Sequence, residues 1–126
     1  MNAQANTDAA PKFRAVHRYA RMTARKARLV ADAIRGLHVN EALEILEFAP
    51  QRAAAAYKKV VESAVANAAQ SEQVNVNRLY ISECKADGGP LLNNRMRFRP
   101  GPQGRAMPFR KKTSHLTVVV QEMGEE

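Results

Sequence analysis

The segment His115-Leu-Thr-Val-Val-Val-Gln121 decides the fold, because it carries the clearest strand signal in the chain. Its even-numbered residues Leu116, Val118 and Val120 are apolar and repeat with a period of two. This alternation is typical of a strand that turns one face towards a core. A strand of this kind needs neighbouring strands that pair with its backbone.

Two earlier segments predict strands. The nearer one, Val74–Cys84, is followed by a long polar stretch, and Cys84 is the only cysteine of the chain. We expect Cys84 to be a small, half-buried strand residue, and a single cysteine excludes an intramolecular disulfide. The second strand is Phe13–Ala20. Its alternation sets Phe13, Ala15, His17 and Tyr19 on one side, against Arg14, Val16, Arg18 and Ala20 on a basic face.

Three helices are predicted between these two strands. Thr23 is a suitable N-cap for the first, because its hydroxyl can accept from a free backbone N–H of the first turn, and Gly36 is suited to end it. A short second helix begins with Asn40 as its cap and stops near Phe48. Pro50 fits the first turn of the third helix, where a missing N–H has no cost. The buried stripes are expected to be Ala27, Val30, Ala31 and Ile34, then Leu43 and Leu46, then Ala53, Ala56, Tyr57, Val60, Val61, Ala64 and Ala68.

The order of these elements, β-α-α-α-β-β, predicts an α+β fold in which three helices pack on a small three-stranded antiparallel sheet. With 126 residues the chain is long enough for one domain. We assign residues 13–121 to it, and expect a disordered tail at 1–12 and an acidic tail at 122–126.

Residues 85–114, between the last two strands, hold four of the six prolines, four of the six glycines and five arginines. A structureless connection this long is uncommon in a compact domain unless it is functional or disordered. Alternatively, both strands continue outward as an extended hairpin. Arms of about ten residues would then reach roughly 30 Å, at about 3.3 Å per residue. Such an arm has no core of its own, so we expect it to be disordered until it folds on a partner.

The net charge and its distribution along the chain indicate the class of that partner. The chain has 20 Lys and Arg against 12 Asp and Glu, a net charge of +8, which favours a polyanionic partner. An anionic membrane surface fits this total equally well. However, the charge is concentrated in two blocks, residues 12–35 and 85–112, each with eight basic residues and one acid. Blocks this one-sided repel each other unless an anion lies against them, and this favours nucleic acid.

Signals for catalysis or membrane insertion are missing. The histidines at 17, 38 and 115 do not have the spacing of a metal site, and the glycines match no phosphate-binding or dinucleotide-binding loop. An alanine-rich core leaves little room for a substrate pocket. No apolar run reaches the roughly 18–20 residues that span a bilayer. We therefore expect a cytoplasmic protein that is not an enzyme and has no cofactor, metal or membrane partner.

The arginines at 95, 97 and 99 recur at every second position, so an extended chain turns all three to one side and Met96 and Phe98 to the other. Such a strand can pair phosphates on one face and pack or stack on the other. The segment Arg105–Lys112 repeats the theme with Met107 and Phe109.

Four segments resemble a known family, the universal large-subunit ribosomal protein twenty-two. Arg25-Lys-Ala-Arg-Leu-Val-Ala-Asp-Ala-Ile-Arg-Gly36 is similar to its first helix, and Lys58–Ala69 to its long helix. Gly104-Arg-Ala106 and Lys112-Thr-Ser-His-Leu-Thr-Val-Val-Val120 are similar to its closing hairpin arm and last strand. The tip differs: the family usually has Pro-Arg-Ala-x-Gly-Arg-Ala, whereas this chain has Pro100-Gly-Pro-Gln-Gly-Arg-Ala106. The preceding segment, Leu91–Arg99, is also a few residues longer than usual.

The resemblance implies a structural protein of the large ribosomal subunit. Its domain is expected on the subunit surface near the exit of the nascent-peptide tunnel, with the hairpin threading between rRNA domains and lining the narrow part of the tunnel. The implied partners are large-subunit rRNA, neighbouring ribosomal proteins and the nascent peptide, without homo-oligomers. The alternative is a free-standing basic protein that coats DNA, which would sediment with the nucleoid and not with the large subunit.

Two sets of site residues follow from the charge blocks and the resemblance together. The residues expected to bind rRNA are Arg14, His17, Arg18, Arg21, Arg25, Lys26, Arg28, Arg95, Arg97, Arg99, Arg105, Arg110, Lys111, Lys112, Thr113, Ser114 and His115. Those expected at the tunnel tip are Met96, Phe98, Pro100, Gly101, Pro102 and Gln103.

Overall fold

The strand β5 (Lys112–Glu122) lies at the centre of a three-stranded antiparallel sheet, between β1 (Lys12–Ala20) and β2 (Leu79–Leu91). The structure, a computed structural model, describes residues 11–92 and 95–123. The predicted α+β class and the antiparallel sheet are confirmed. Most of each predicted tail, residues 1–10 and 124–126, lies outside the described residues. Lys12 and Glu122, which we had assigned to the tails, belong to strands.

Two strand boundaries differ from the prediction. The second strand begins at Leu79, because Val76–Arg78 forms a short 3-10 turn capped by the Asn75 side chain. The last strand begins at Lys112, three residues before the segment with the clearest alternation. At its other end, β2 continues to Leu91. Both strands therefore extend further into the basic segment than the apolar pattern alone predicts.

The three predicted helices are present as α1 (Ala24–Ile34), α2 (Val39–Phe48) and α3 (Arg52–Ala69). Thr23 caps α1 as expected, accepting a hydrogen bond from the Lys26 N–H at 3.4 Å. The predicted stripe of α1 is buried in full. Gly36 follows with φ of +82°, a conformation that few residues other than glycine adopt.

The starts of α2 and α3 correct the prediction. The cap of α2 is His38, whose Nδ1 accepts from the Asn40 N–H at 3.1 Å, so Asn40 lies inside the helix. Pro50 precedes the cap of α3, Gln51, and does not lie in the first turn. Ala54 is buried on α3 where we expected Ala56, which is only partly buried.

The core lies between the helices and one face of the sheet. Tyr57 of α3 is its largest fully buried side chain, and its hydroxyl donates to the Lys85 carbonyl at 3.2 Å. A buried phenol usually finds such a partner, because an unpaired polar group is costly to desolvate. Cys84 is 1% exposed, more deeply buried than expected. The remaining core is largely alanine, valine, leucine and isoleucine, which allows helices and sheet to approach closely.

A bulge changes the alternation at the end of β1. The pairing with β5 shifts between His17 and Ala20, and Tyr19 has φ of +59°. As a result Ala20 is buried and Tyr19 is 60% exposed, the reverse of the predicted faces. The Tyr19 N–H donates to His115 Nδ1 at 3.1 Å, and the two rings meet edge to face at 4.9 Å. These contacts with His115 hold the unusual backbone in place.

The long segment between the last two strands is a hairpin, as one of the two alternatives predicted. Strands β2 and β5 stay paired out to Leu91 and Lys112. Beyond them β3 (Arg97–Pro100) pairs with β4 (Ala106–Phe109), and the turn Pro102–Gly104 joins the two. We call residues 97–109 the outer hairpin. On the second arm, Arg110 alone lies between Phe109, which pairs with Arg97, and Lys111, whose carbonyl accepts from the Leu92 N–H.

In the part of the chain that the structure describes, no helix combines the length and apolar character needed to cross a membrane.

Candidate nucleic-acid interface

A groove of 610 Å³ lies between the base of the hairpin and the helices. Three separate parts of the chain form its walls. They are the β1–α1 connection with α1, the start of α3, and the hairpin. The residues that line it are Arg21, Met22, Thr23, Lys26, Leu29, Gln51, Arg52, Ala53, Arg99, Phe109, Arg110, Lys111 and Lys112.

Seven of these thirteen lining residues are basic and none is acidic. No ion pair involves any of the seven within residues 11–92 and 95–123. Their charges therefore add, and a concave surface lined by one sign of charge concentrates its field on an anion. The groove unites the two basic blocks of the sequence, because Arg21 and Lys26 belong to the first and the four hairpin residues to the second.

Arg52 is the groove residue that sequence reasoning missed. Its neighbourhood in the chain is balanced in charge, since the helices around it carry Glu41, Glu44, Glu47 and Glu62. Only the packing of the α3 start beside the hairpin base brings Arg52 to the groove. No signal in the sequence itself indicates this position.

Part of the groove lining is apolar, and we call its residues Met22, Leu29 and Phe109 the floor of the groove. Phe109 lies in it half-buried, with the Arg99 guanidinium over its ring, 4.3 Å from the centroid. Leu29 and Met22 contribute aliphatic surface, and Leu29 is 62% exposed although it belongs to a helix with a well-packed inner stripe. The groove thus combines basic walls with an aromatic and aliphatic floor.

A second basic surface lies on the open face of the sheet, opposite the helices. Arg14 and Arg18 from β1 share it with Lys85 from β2. Here the signs are mixed, because Glu83 and Asp87 line the same hollow of 340 Å³. Arg18 also reaches the edge where β1 meets α3, in a shallow hollow with His17 and Lys59.

Three predicted residues follow one another on α1 but have different surroundings. Arg25 is exposed, and Lys26 lines the groove. Arg28 donates its Nε–H to the Ala86 carbonyl at 3.1 Å, which ties α1 to β2 while leaving the side chain exposed. Arg28 therefore already has a structural partner within the protein.

Thr113 and Ser114 are not available as the prediction requires. Their relative exposures are 3% and 0%, and the Thr113 hydroxyl donates to the Pro90 carbonyl at 2.6 Å. Both face protein because β5 continues as a central strand to Lys112, so these side chains cannot reach a phosphate without local opening. His115 is half-buried and binds the backbone of Tyr19 through its Nδ1 atom.

The outer hairpin has two chemically distinct faces. Directly opposed residues in an antiparallel pair share a face, and Arg97 pairs with Phe109 as Arg99 pairs with Met107. Met107 and Phe109 therefore lie on the arginine face. Phe98 pairs with Pro108 and Pro100 with Ala106, so the other face is apolar.

The predicted site residues from Arg95 to Lys112 are all exposed or half-buried. Arg95 and Arg105 are exposed beside the two turns of the arm, where their N–H groups donate to Leu92 and Pro102 respectively. Of the tip residues, Met96 is 44% and Phe98 is 64% exposed. Gly101 is held against the closing arm, since its N–H donates to the Arg105 carbonyl and a side chain there would collide with Met107.

Nothing in the described residues suggests chemistry at this interface. No group of His, Cys, Asp or Glu among them could hold a metal ion. The cysteine thiol is remote from solvent, and burial raises the pKa of Cys84 to about 12. A protonated, buried thiol is a poor nucleophile at neutral pH.

Comparison with known proteins agrees with the resemblance seen in the sequence. The model of the family described as ribosomal protein L22p/L17e matches residues 15–121. A relative from Caldicellulosiruptor saccharolyticus, named large ribosomal subunit protein uL22, is 50% identical over 111 residues, covering 88% of each chain. A relative of the same name from Desulfotalea psychrophila is 48% identical over 109 residues, covering 86% of this chain and 96% of its own. The chain therefore belongs to the ribosomal protein L22p/L17e family.

Proposed function

We propose that this chain is a structural rRNA-binding protein of the large ribosomal subunit. The observation that carries the proposal is the groove, which collects seven basic side chains from three distant parts of the chain without an acid among its lining residues. Family membership supports the choice of partner, because the relatives are named as large-subunit proteins. The protein acts by binding and needs no chemistry of its own.

The proposed mechanism is to hold separate rRNA segments together. The groove lies on the helix side of the sheet, and the surface with Arg14 and Arg18 lies on the open side. Two basic surfaces that face different directions can bind two RNA segments at once. Guanidinium and ammonium groups make charge-assisted hydrogen bonds with phosphate, which are stronger than neutral ones. Thus the domain fixes the distance between the segments that it binds.

Binding of the purified chain to large-subunit rRNA at increasing salt tests this proposal. The logarithm of affinity should fall with the logarithm of salt concentration by about 0.7–0.9 per phosphate neutralised. Arg52→Gln should reduce the magnitude of that slope by about one. Lys58→Gln is the matched control, because Lys58 lies on the same helix but outside the groove. A flat salt response, or equal effects of the two substitutions, contradicts binding through the groove.

We further propose that the outer hairpin lines the nascent-peptide tunnel with its tip. The hairpin suits an extended surface contact, because it adds no residue to the buried core of the described chain. Deleting Met96–Gln103 should leave assembly into the subunit intact, since the groove walls on α1 and α3 remain. It should alter the response to tunnel-binding antibiotics or to stalling peptides. Normal assembly with both responses unchanged contradicts a tunnel position for the tip.

The proposed location is the ribosome in the cytoplasm, beside neighbouring large-subunit proteins and without self-association or membrane contact. Sedimentation in moderate salt tests this: the chain should move with the large subunit. Sedimentation with the nucleoid supports a DNA-coating protein instead.

A further inference from the structure

We infer that the groove between the hairpin base and the helices binds an unpaired RNA nucleotide, whose base lies on the apolar floor while the adjoining phosphates lie on the basic walls. The inference rests on the proposed function, because it specifies which form of RNA occupies that surface.

The shape of the groove does not suit a regular RNA helix. A duplex presents its phosphates on a convex outer surface and keeps its bases stacked inside, so it can contact the rims of a groove but offers little to its floor. An apolar floor below a basic rim would then stay in contact with water. A single unstacked nucleotide fits the same surface better, because it brings an aromatic ring and charged phosphates together.

The floor provides the surface on which a base can stack. The Arg99 guanidinium and the Phe109 ring lie one over the other at 4.3 Å, and they belong to opposed strands of the outer hairpin. Unpaired bases are commonly bound by stacking on aromatic rings or on guanidinium planes. A base placed against this pair extends the stack that already exists in the protein.

The aliphatic part of the floor explains an otherwise unaccounted residue. Leu29 is 62% exposed on α1, outside the stripe that packs against the sheet. It lines the groove together with Met22, across from the hairpin residues. Aliphatic side chains in this position can cover the second face of a bound base. No packing role within the described domain accounts for an exposed leucine among arginines and lysines.

The walls supply charge on more than one side of the floor. Arg21 and Lys26 approach from the α1 side, Arg52 from the α3 start, and the hairpin contributes Arg110, Lys111 and Lys112. A nucleotide inserted between them has one phosphate on each side of its sugar. Cations on several walls can therefore bind both phosphates and hold the backbone while the base enters the groove.

The test compares two RNA stems of equal length and equal phosphate number. One is fully paired, and in the other the nucleotide opposite a single adenosine lacks its base, so that this adenosine is unpaired. The full chain is titrated with each labelled stem, and affinity is measured by fluorescence anisotropy. The native chain should prefer the stem with the unpaired adenosine by roughly tenfold, the size expected for one base–aromatic stack. Phe109→Ala and Leu29→Ala should each bring this preference to within about twofold, with little change for the paired stem.

Phe98→Ala is the matched control, because Phe98 is an exposed aromatic residue on the other face of the same hairpin. It should keep the preference. Neither Phe109 nor Leu29 is part of the buried core, so circular dichroism should show all three variants folded. Equally tight binding of both stems by the native chain overturns this inference and leaves the proposed function standing. Loss of the preference in Phe98→Ala also overturns it. Weak, salt-insensitive binding of both stems counts against the proposed function itself.

Discussion

Arg25 and Arg28 of α1 and Arg35, which caps its C-terminus, share one side of the helix but differ in their contacts. Sequence periodicity sets all three on the side away from the apolar stripe, and this much could be predicted. Arg35 nevertheless donates from Nε and from one terminal nitrogen to the Cys84 carbonyl, at 3.2 and 2.7 Å, and pairs with Asp32 at 2.8 Å. Backbone carbonyls are the acceptors for Arg28 and Arg35, and no residue type marks them in a sequence. Which of these arginines bond to the protein backbone therefore could not be predicted.

Replacement of these arginines should separate stability from RNA affinity. Arg35→Ala should lower the free energy of unfolding by about 1 kcal/mol, because it removes charge-assisted hydrogen bonds at a half-exposed site. Its affinity for rRNA should stay near the native value. Arg25→Ala should do the opposite, weakening rRNA binding without changing stability. Urea unfolding and a binding titration on both variants measure the two quantities. If one of the two variants has both the lower free energy of unfolding and the weaker affinity for rRNA, stability and RNA binding are not separated in this way.

Cys84 should make the domain sensitive to alkali. Burial raises the pKa of its thiol from 9.0 to about 12, so between these values the unfolded chain has lost a proton that the folded chain retains. The stability contribution is fully present below pH 9 and is lost as pH rises towards 12. The loss from this group is on the order of 1 kcal/mol per pH unit within that window. The free energy of unfolding, measured in urea from pH 8 to 11, should therefore decline less steeply for Cys84→Ala than for the native chain. The variant should still lose some stability in this range, because burial also raises the pKa of the Tyr57 hydroxyl. Identical slopes contradict the assignment.

Among the elements, helices and strands were predictable where burial follows a regular period. The stripe of α1, most of the stripe of α3 and the inner face of β5 follow from the spacing of apolar residues, although Thr117 and Val119 on the other face of β5 are buried as well. The exceptions are local. His38 caps α2 through a ring nitrogen, whereas cap prediction favours serine, threonine, asparagine and aspartate. Tyr19 reverses the faces of β1 because its backbone takes positive φ, a conformation that is unusual for a large side chain.

Removing the whole outer hairpin should leave the domain stable. The Leu92 N–H donates to the Lys111 carbonyl at 2.7 Å, so residues 93–110 can be replaced by Asn-Gly as a two-residue turn that closes this pair. The melting temperature should change by no more than about 3 °C, because no buried core residue is lost. Ile81→Ala is the contrasting control, since truncating a buried isoleucine costs about 2–5 kcal/mol. If removal of the hairpin lowers the melting temperature as much as Ile81→Ala does, the hairpin contributes to the stability of the core.

For the whole molecule, charge segregation indicated the class of partner, and the groove explains how the two blocks act together. The sequence could not indicate the groove itself. Its walls are positioned by the packing of α3 beside the hairpin base, and Arg52 enters it from a charge-balanced segment. The period of apolar residues in the sequence shows which side of an element is buried, but it does not show where two elements pack against each other.

Hydrogen exchange should show a gradient of stability across the molecule. Amides of β5 should be the most protected in the free protein, because this strand is paired on both sides and its inner residues are fully buried. Amides of Arg97–Phe109 should exchange fastest, since the outer hairpin has no buried residue. Adding rRNA should slow exchange in the outer hairpin far more than in β5. Strong protection there without RNA would contradict the expectation that the arm needs a partner to become ordered.

The position of β5 has a consequence for synthesis of the chain. Among the described strands, β1 and β2 each pair with β5 and not with each other, and β5 follows every other described element in sequence. During translation neither outer strand has its partner until the ribosome has released β5, so the sheet cannot form progressively from the N-terminus. A product that stops before β5 also loses Leu116, Val118 and Val120 from the core. Interrupted chains therefore remain unfolded, so proteases can remove them before they compete for rRNA.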